Sequence, residues 1–422
     1  MDAGYMLRAF RHRNYRLYFS GQLISLVGTW MQRVALSWLV YRITNSPFLL
    51  GLVGFVSQFP TLALLPLTGT IADSRDRRKL LIASQVLAML QAAALAAVVL
   101  AGSPSVWVVM ALGFVGGIAF AVEAPARQSL VVQLVSKKED LANAIALNSA
   151  TFNIARLIGP SLAGLIVAMS SEGPAFAINS ASYVAVIIAL FMLRLEPRQR
   201  SSRPAGVLSG ISEGLRYAFG RPAMRFILVH LAVLSLIPMS YLVVLPVFAR
   251  DVLGGDARML GFLMGGVGAG ALMGVMWISS REHFATLWKQ LPYSSAALGA
   301  GLVLLSVSRN ALLSVLVLPV TGFAMMTTVT GCNTILQHLV DEDMRGRVMG
   351  LYTLAVMGTV PFGSLFIGWF AEVFGAPAST LLGAAFAFGY AAYAARRTKA
   401  ISPFDVCEGG PCGPTVPIVA ER

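Results

Sequence analysis

The stretch RDRRKLLIASQVLAMLQAAALAAVVLA, residues 75–101, decides the fold. Four basic residues lead into a run from Leu80 to Ala101 that contains no charged side chain. A hydrocarbon core of about 30 Å requires about 20 apolar residues in a helix, so this run predicts a transmembrane helix. Helices are the expected spanning element because lipid offers no hydrogen-bond partner to exposed backbone groups.

Comparable apolar runs recur along the whole chain, which is 57% hydrophobic and 12% charged over 422 residues. Soluble domains carry about 25% charged residues, so the composition excludes a large soluble domain. The first apolar run holds Gln22, Gln32 and Arg33 and is too long and too polar for a cleaved signal peptide. The sequence predicts an all-α membrane protein with 12 transmembrane helices, at roughly 16–41, 47–72, 79–101, 105–126, 143–169, 174–194, 223–248, 259–280, 285–307, 310–335, 347–371 and 377–395.

The basic residues test this topology. When loops are assigned alternately from a cytoplasmic N-terminus, most of the 32 Lys and Arg residues fall in cytoplasmic segments. Such a bias follows the positive-inside rule and predicts that the N- and C-termini are both cytoplasmic. It also accounts for the net charge of +13, so nucleic acid is not an expected partner.

The spans divide six and six around the longest polar stretch. Residues 116–147 match 321–351 in length and hydropathy, with Gly117 aligned with Gly322. Such repeats are typical of secondary transporters, whose substrate site lies near the midplane between the halves. The predicted organisation is an N-terminal six-helix bundle at 1–194, a central cytoplasmic loop at 195–222, a C-terminal six-helix bundle at 223–395 and a disordered cytoplasmic tail at 396–422.

The loop after the second span reads GTIADSRDRRK, residues 69–79. It resembles the loop signature Gly-x-x-x-Asp-Arg-x-Gly-Arg-Arg of the major facilitator superfamily, with Ser74 where Arg is usual and Asp76 where Gly is usual. The resemblance implies a conformational latch between transport states, built from Gly69, Asp73, Arg75, Arg77 and Arg78. The alternative is a topological anchor that holds the loop at the anionic cytoplasmic face.

Three longer stretches carry a closer resemblance. They are AFRHRNYRLYFSGQLISLVGTWMQRVALSWLVYRITNSPFLLGLVGFVSQFP, EAPARQSLVVQLV and RGRVMGLYTL. These are similar to the drug:proton antiporter branch of the superfamily, which contains macrolide efflux pumps and the enterobactin exporter, and the resemblance covers about residues 8–395. It implies the major facilitator fold, two pseudo-symmetric six-helix bundles, in a protein of the bacterial cytoplasmic (inner) membrane that works as a monomer.

The fifth span contains RLIGPSLAG, residues 156–164. This resembles the antiporter motif of exporters, whose core is Gly-Pro-x-x-Gly-Gly. Gly159, Pro160 and Gly164 match, while Ala163 stands where Gly is usual. Proline kinks a helix and small residues allow tight packing, so the span suits a helix that seals and rocks. An ordinary kinked helix is the alternative.

Polar side chains inside the spans are costly in lipid and therefore indicate function. Arg156 lies about 20 Å into the fifth span, near the midplane, and Asn153 shares its face. Either these residues line a water-filled cavity, or Arg156 belongs to a structural ion pair. The candidates for the substrate and proton pathway, taken from five spans, are Gln22, Arg33, Glu123, Asn153, Arg156, His230 and Asn333.

The proton carrier is less well defined by the sequence. Glu123 is the one carboxylate placed well inside a span, but Arg127 at i+4 makes a structural ion pair the alternative. His230 titrates near neutral pH when solvated, and a purely hydrogen-bonded histidine is its alternative. Arg33 either faces the cavity or extends to the external interface. The first span lacks the acidic residue of many proton-coupled drug exporters, so proton coupling rests on the resemblance.

These observations predict a secondary active exporter of a small amphipathic molecule, drug or siderophore-like, that works by proton antiport with alternating access. A lipid or lysolipid flippase of the same fold is an alternative, and a non-transporting membrane receptor or scaffold is a second. The expected partners are the small-molecule substrate, protons and membrane lipids. We expect no enzymatic activity, no cofactor and no metal, since no phosphate-binding loop or metal-ligand spacing occurs.

Overall fold

The fold is described from a computed structural model. The structure describes residues 8–74, 76–102, 104–135, 138–194, 207–281 and 284–401. Within this part, twelve helices are long and apolar enough to cross a membrane, and the remaining elements are also helical. The predicted all-α architecture with twelve transmembrane helices is therefore confirmed.

The twelve helices are numbered in chain order. The N-terminal half comprises α1 (Arg13–Thr44), α2 (Pro47–Ser74), α3 (Arg77–Leu100), α4 (Val106–Val131), α5 (Lys138–Met169) and α6 (Glu172–Met192). The C-terminal half comprises α7 (Pro222–Val252), α8 (Ala257–Ser279), α9 (Phe284–Val307), α10 (Ala311–Leu339), α11 (Arg345–Phe374) and α12 (Ala376–Ala400).

Local sequence signals set several helix ends. The Asp76 carboxylate caps α3 by accepting hydrogen bonds from the backbone amides of Arg78 and Lys79. Asn45 ends α1 in the left-handed region at φ 51°, and Gly375 does the same between α11 and α12 at φ 88°. These signals place the helix ends within a few residues of the predicted spans.

Two predicted segments contain more helix than expected. A linker helix, Val207–Gly220, lies inside the segment 195–222 that was predicted as a loop. The Arg347 guanidinium holds it by an ion pair with Glu213 at 2.9 Å. The last helix continues to Ala400, into the predicted tail 396–422, and residues 402–422 lie outside the described part of the chain.

The two halves pack through two equivalent pairs of helices, α5 with α8 and α2 with α11. A glycine meets a glycine at each crossing. A Cβ atom added to Gly164 would lie 3.0 Å from the Cα of Gly261, and one added to Gly368 would lie 2.8 Å from the Cα of Gly51. The backbones therefore approach as closely as small-residue interfaces in membranes allow.

Both crossings lie toward the same end of the molecule, where α1 ends and α2 begins. We call this the far end, and the opposite end, where α1 begins and α12 ends, the basic end. At the far end the Tyr41 hydroxyl donates to Asp251, and Arg250 Nη1 donates to Asn45 Oδ1 at 2.7 Å. Each contact joins the N-terminal half to the C-terminal half.

The Glu372 carboxylate of α11 makes a third contact between the halves at the far end. It accepts from the Ser46 hydroxyl at 2.8 Å and from the Phe48 amide at 3.0 Å. This places a negative charge at the N-terminus of α2, where the helix dipole stabilises it. No hydrogen bond or ion pair between described residues joins the halves at the basic end. The far end is therefore closed in this conformation.

Candidate transport site

Two arginines contact one tryptophan ring in the middle of the membrane-spanning region. The Cζ atom of Arg33 on α1 lies 4.8 Å from the ring centroid of Trp30, and the Cζ atom of Arg156 on α5 lies 5.2 Å from the same ring. At about 1.5 Å per residue, the two arginines lie about 16 and 20 Å from the far ends of their helices. We call Arg33, Trp30 and Arg156 the arginine cluster.

The exporter-like segment of α5 positions this cluster. A Cβ atom on Gly159 would lie 2.6 Å from the Cβ of Trp30 and 2.9 Å from the carbonyl oxygen of Val27. No side chain fits in that space, so glycine is required for α5 to approach α1 at Trp30. Gly164, one turn further on, makes the separate contact with α8, and Pro160 lies inside the helix between them.

Aromatic and sulfur-containing side chains surround the cluster. Phe120 of α4 lies 5.7 Å from the Arg33 Cζ, and Phe152 meets the Trp30 ring edge-on with centroids 5.6 Å apart. Arg156 Nη1 lies 3.9 Å from the Met326 sulfur on α10, which belongs to the other half. The cluster therefore lies at the interface between the two halves, where the sequence predicts the substrate site.

The Arg33 side chain combines solvent exposure with a position deep in the protein, which is the behaviour expected of a residue on a cavity wall. Arg156 is half-buried. A place for Arg33 on the substrate pathway, with an extension to the external interface as the alternative, stays a prediction.

The charge around the cluster is unbalanced. Among the described residues, no carboxylate lies within ion-pair distance of Arg33 or Arg156. Glu123 is half-buried on α4 and pairs with Arg127, with 3.6 Å between Arg127 Nε and Glu123 Oε1. This geometry is the structural ion pair considered from the sequence. Three arginines against one carboxylate leave a net charge of two positive.

A polar network stands behind the cluster in the N-terminal half. Gln32 Nε2 donates to Gln91 Oε1 at 2.9 Å, and Asn179 Nδ2 donates to Gln32 Oε1 at 2.7 Å. The Thr29 and Tyr183 hydroxyls lie 3.3 Å apart in the same region. These bonds connect α1 with α3 and α6. The network turns Gln32 into the bundle, whereas the side chain of the next residue is exposed to solvent.

The model of the family described as "Transmembrane secretion effector" matches residues 6–407. The chain belongs to this family of major facilitator transporters. The staphyloferrin A transporter of Staphylococcus aureus is 25% identical over 366 residues, covering 85% of this chain and 90% of the relative. The multidrug efflux pump Tap of Mycobacterium tuberculosis is 26% identical over 377 residues, covering 85% and 87%.

Solved structures of transporters share the fold. A bacterial homologue of the human lysosomal transporter Spinster superposes with a TM-score of 0.71 at 12% identity, over 93% of this chain and 99% of that one. The nucleoside transporter NupG superposes with a TM-score of 0.69 at 13% identity, over 92% of this chain and 98% of that one.

The major facilitator fold is confirmed. This transporter is a multi-pass bacterial membrane protein with a small molecule as substrate, and it is not an enzyme.

Two further pathway candidates of this transporter lie on the same helices as the cluster. Asn153 is buried one turn before Arg156 and donates to the Ser149 carbonyl oxygen at 2.8 Å, while its own side-chain oxygen has no partner in the described structure. Gln22 is buried on α1, about 16 Å along the axis from Arg33. Asn153 thus belongs near the cluster, and Gln22 lies toward the basic end.

The remaining two candidates lie elsewhere. His230 is fully buried in the C-terminal half, with its Nε2 3.3 Å from the Ser295 hydroxyl and its ring centroid 5.1 Å from that of Tyr390. Asn333 lies toward the basic end of α10 and accepts a hydrogen bond from Gln337. Neither residue makes a described contact with the arginine cluster, and a role for them in the pathway stays a prediction.

The described part of the predicted latch holds the N-terminal half together at the basic end. Arg78 donates to the Phe191 carbonyl oxygen at 2.6 Å, and Arg77 donates to the Ser129 carbonyl oxygen at 3.3 Å. Arg75 lies outside the described residues, and so do the surroundings of Gly69 and the side chain of Asp73. The described arginines therefore tie α3 to α6 and α4, and the latch function itself stays a prediction.

Proposed function

We propose that this transporter is a secondary active exporter of a small amphipathic molecule and that it works by proton antiport with alternating access. The basic end faces the cytoplasm in this proposal, because most of the basic residues assigned to loops lie there. The far end then faces the outside. The relative named as a multidrug efflux pump supports the outward direction, and the relative named as a staphyloferrin A transporter supports a siderophore-like substrate.

One observation carries the proposal. Contacts join the two halves at the far end, and the arginine cluster lies at the interface between the same two halves. In this proposal a molecule reaches the cluster from the basic end, where no hydrogen bond or ion pair between described residues joins the halves. Export then requires the far-end contacts to break while the halves close at the basic end. The close glycine crossings support such a rocking motion, because they place few side chains in its way.

Two bridging carboxylates support the coupling to protons. Asp251 accepts from the Tyr41 hydroxyl, and Glu372 accepts from Ser46 and from the Phe48 amide. A carboxylate accepts these hydrogen bonds most strongly when it is ionised. Removing the charge of either carboxylate would weaken its contact and favour opening of the far end. Glu123 is the second candidate for a proton carrier, although its pairing with Arg127 competes with that role.

The proposal is tested with purified protein reconstituted into liposomes under an imposed pH gradient, with a panel of lipophilic drugs and siderophores. We expect at least one compound to accumulate only while the gradient lasts. Asp251→Asn and Glu372→Gln are expected to reduce the gradient dependence more than Glu342→Gln, an exposed carboxylate at the basic end that pairs with Arg345. Accumulation that is unchanged when the gradient is collapsed, for every transported compound, refutes proton antiport.

A further inference from the structure

The arginine cluster contains more positive charge than the surrounding protein neutralises. The guanidinium groups of Arg33 and Arg156 contact the same tryptophan ring, and no described carboxylate pairs with either group. The nearest acidic candidate, Glu123, is already paired with Arg127. Cations inside a membrane protein are costly to keep, and those that face a cavity commonly mark the pathway of an ion or substrate.

Among the described residues, the interior of the N-terminal half supplies no ion-pair partner for these cations. The polar network next to Arg33 is satisfied within itself, because Gln32, Gln91 and Asn179 bond to one another. The contact that Arg156 makes across the interface is with the Met326 sulfur, a weak acceptor. Both cations therefore retain most of their hydrogen-bonding capacity for a group that enters the cavity.

The apolar surroundings limit what that group is attached to. Trp30, Phe120 and Phe152 present aromatic surface around the two cations. Aromatic rings favour planar and apolar groups, and guanidinium groups favour carboxylates and other oxyanions in a bidentate geometry. A lipophilic cation would instead meet two uncompensated charges of its own sign.

We infer that the transported molecule is an organic anion, and that Arg33 and Arg156 bind its carboxylate or comparable oxyanion while the aromatic side chains contact its apolar part. This inference rests on the proposed export function and specifies the substrate class of the same site. Both guanidinium groups lie within about 5.2 Å of the centroid of one ring, so a single anionic group or two neighbouring ones can engage both.

The test compares two dyes that share one planar scaffold, the anion carboxyfluorescein and the cation rhodamine 123. Binding to the purified protein in lipid nanodiscs is measured as the ligand-dependent rise in melting temperature. We expect carboxyfluorescein to stabilise the wild type more than rhodamine 123 does. Arg33→Gln and Arg156→Gln should each raise the apparent Kd for the anion by about tenfold or more, which is the usual loss for one charge-assisted contact.

Arg281→Gln is the matched control. Arg281 also stacks on a tryptophan, Trp277, with its Cζ 4.5 Å from the ring centroid, but it is exposed at the basic end of α8. Its replacement should leave anion binding unchanged. Arg33→Lys and Arg156→Lys keep the charge and should recover part of the affinity, which a purely packing role would not produce.

Three results overturn the inference. They are stabilisation by rhodamine 123 alone, stabilisation by neither dye, and a pair of Gln variants that lose thermal stability but bind carboxyfluorescein as the wild type does. The last result would make the cluster a structural feature. Transport of the same dyes into liposomes separates the two proposals. Arginine-dependent anion binding without gradient-driven transport refutes the export function alone, whereas gradient-driven transport of the cation alone refutes the substrate class alone.

Discussion

Gly261→Val perturbs the crossing of α5 and α8, on which the closed far end depends. The new Cβ would lie 2.8 Å from the Pro160 carbonyl oxygen and 3.0 Å from the Gly164 Cα. Both neighbours are backbone atoms of one helix, so the clash is relieved when the helices separate. Overpacking of this kind costs about 1–3 kcal/mol, which shifts the balance between closed and open far ends by about 5- to 160-fold.

The shift is measurable as a distance across the far end. Spin labels at Ser170 and Arg309, which are both exposed and belong to different halves, report the separation by pulsed electron resonance. The labelled protein carries serine in place of the native Cys332, Cys407 and Cys412. We expect the wild type to show mainly the short distance and Gly261→Val to show a larger long-distance population, with slower transport.

Gly389→Val serves as the control for adding the same side chain to a transmembrane helix. A Cβ there meets nothing within 4 Å, so the distance distribution should match the wild type. Gly368→Val, at the equivalent crossing with Gly51, should reproduce the effect of Gly261→Val. Unchanged distances in both crossing variants, with normal folding, would contradict the idea that these contacts hold the far end closed.

Three further predictions address single contacts. Tyr41→Phe removes the hydroxyl that donates to Asp251. The ratio of open to closed far ends, measured with the spin labels at Ser170 and Arg309, should rise about fivefold, as expected for the loss of one hydrogen bond of about 1 kcal/mol. An unchanged distance distribution contradicts this. Gly159→Ala places a Cβ 2.6 Å from that of Trp30 and should slow transport more than it lowers protein yield, measured per molecule in liposomes. Glu123→Gln should keep gradient-driven transport if the carboxylate has only its structural pair, and its loss would assign the proton role to this residue.

The fold was largely predictable because the membrane leaves few alternatives. In lipid, an apolar run such as Leu80–Ala101 satisfies its backbone hydrogen bonds by forming a helix, so the run predicts both a transmembrane helix and its length. The linker helix Val207–Gly220 was not predicted, since its stability depends on tertiary contacts such as that between Glu213 and Arg347. Pro238 interrupts α7 with a 3₁₀ turn, Pro238–Val244, and proline offered a local signal for that break.

The sequence alone names the candidate site residues one by one, but it does not show how they are arranged in space. The cost of charge in lipid singled out Arg33 and Arg156 without any structural information. Their meeting at Trp30 depends on how α1 and α5 are rotated, and the close contact at Gly159 sets that rotation. Sequence periodicity shows which residues share a helix face, but it does not show which residues of distant helices meet. The hydrogen bond between Asn179 and Gln32 was therefore not predicted. Glycine and polar residues inside otherwise apolar spans were the available clue.

The two unpaired cations link occupancy of the cavity to its closure. Since both Cζ atoms lie within about 5.2 Å of one ring centroid, Arg33 and Arg156 are at most about 10 Å apart. Their repulsion is about 0.4 kcal/mol in water and about 1.7 kcal/mol at an effective dielectric constant of about 20. Closing the basic end over an empty cavity removes water and therefore costs at least about 1 kcal/mol more in repulsion alone. A bound anion would cancel this cost, so we expect the loaded protein to change state more readily than the empty one, which the proposed export function requires.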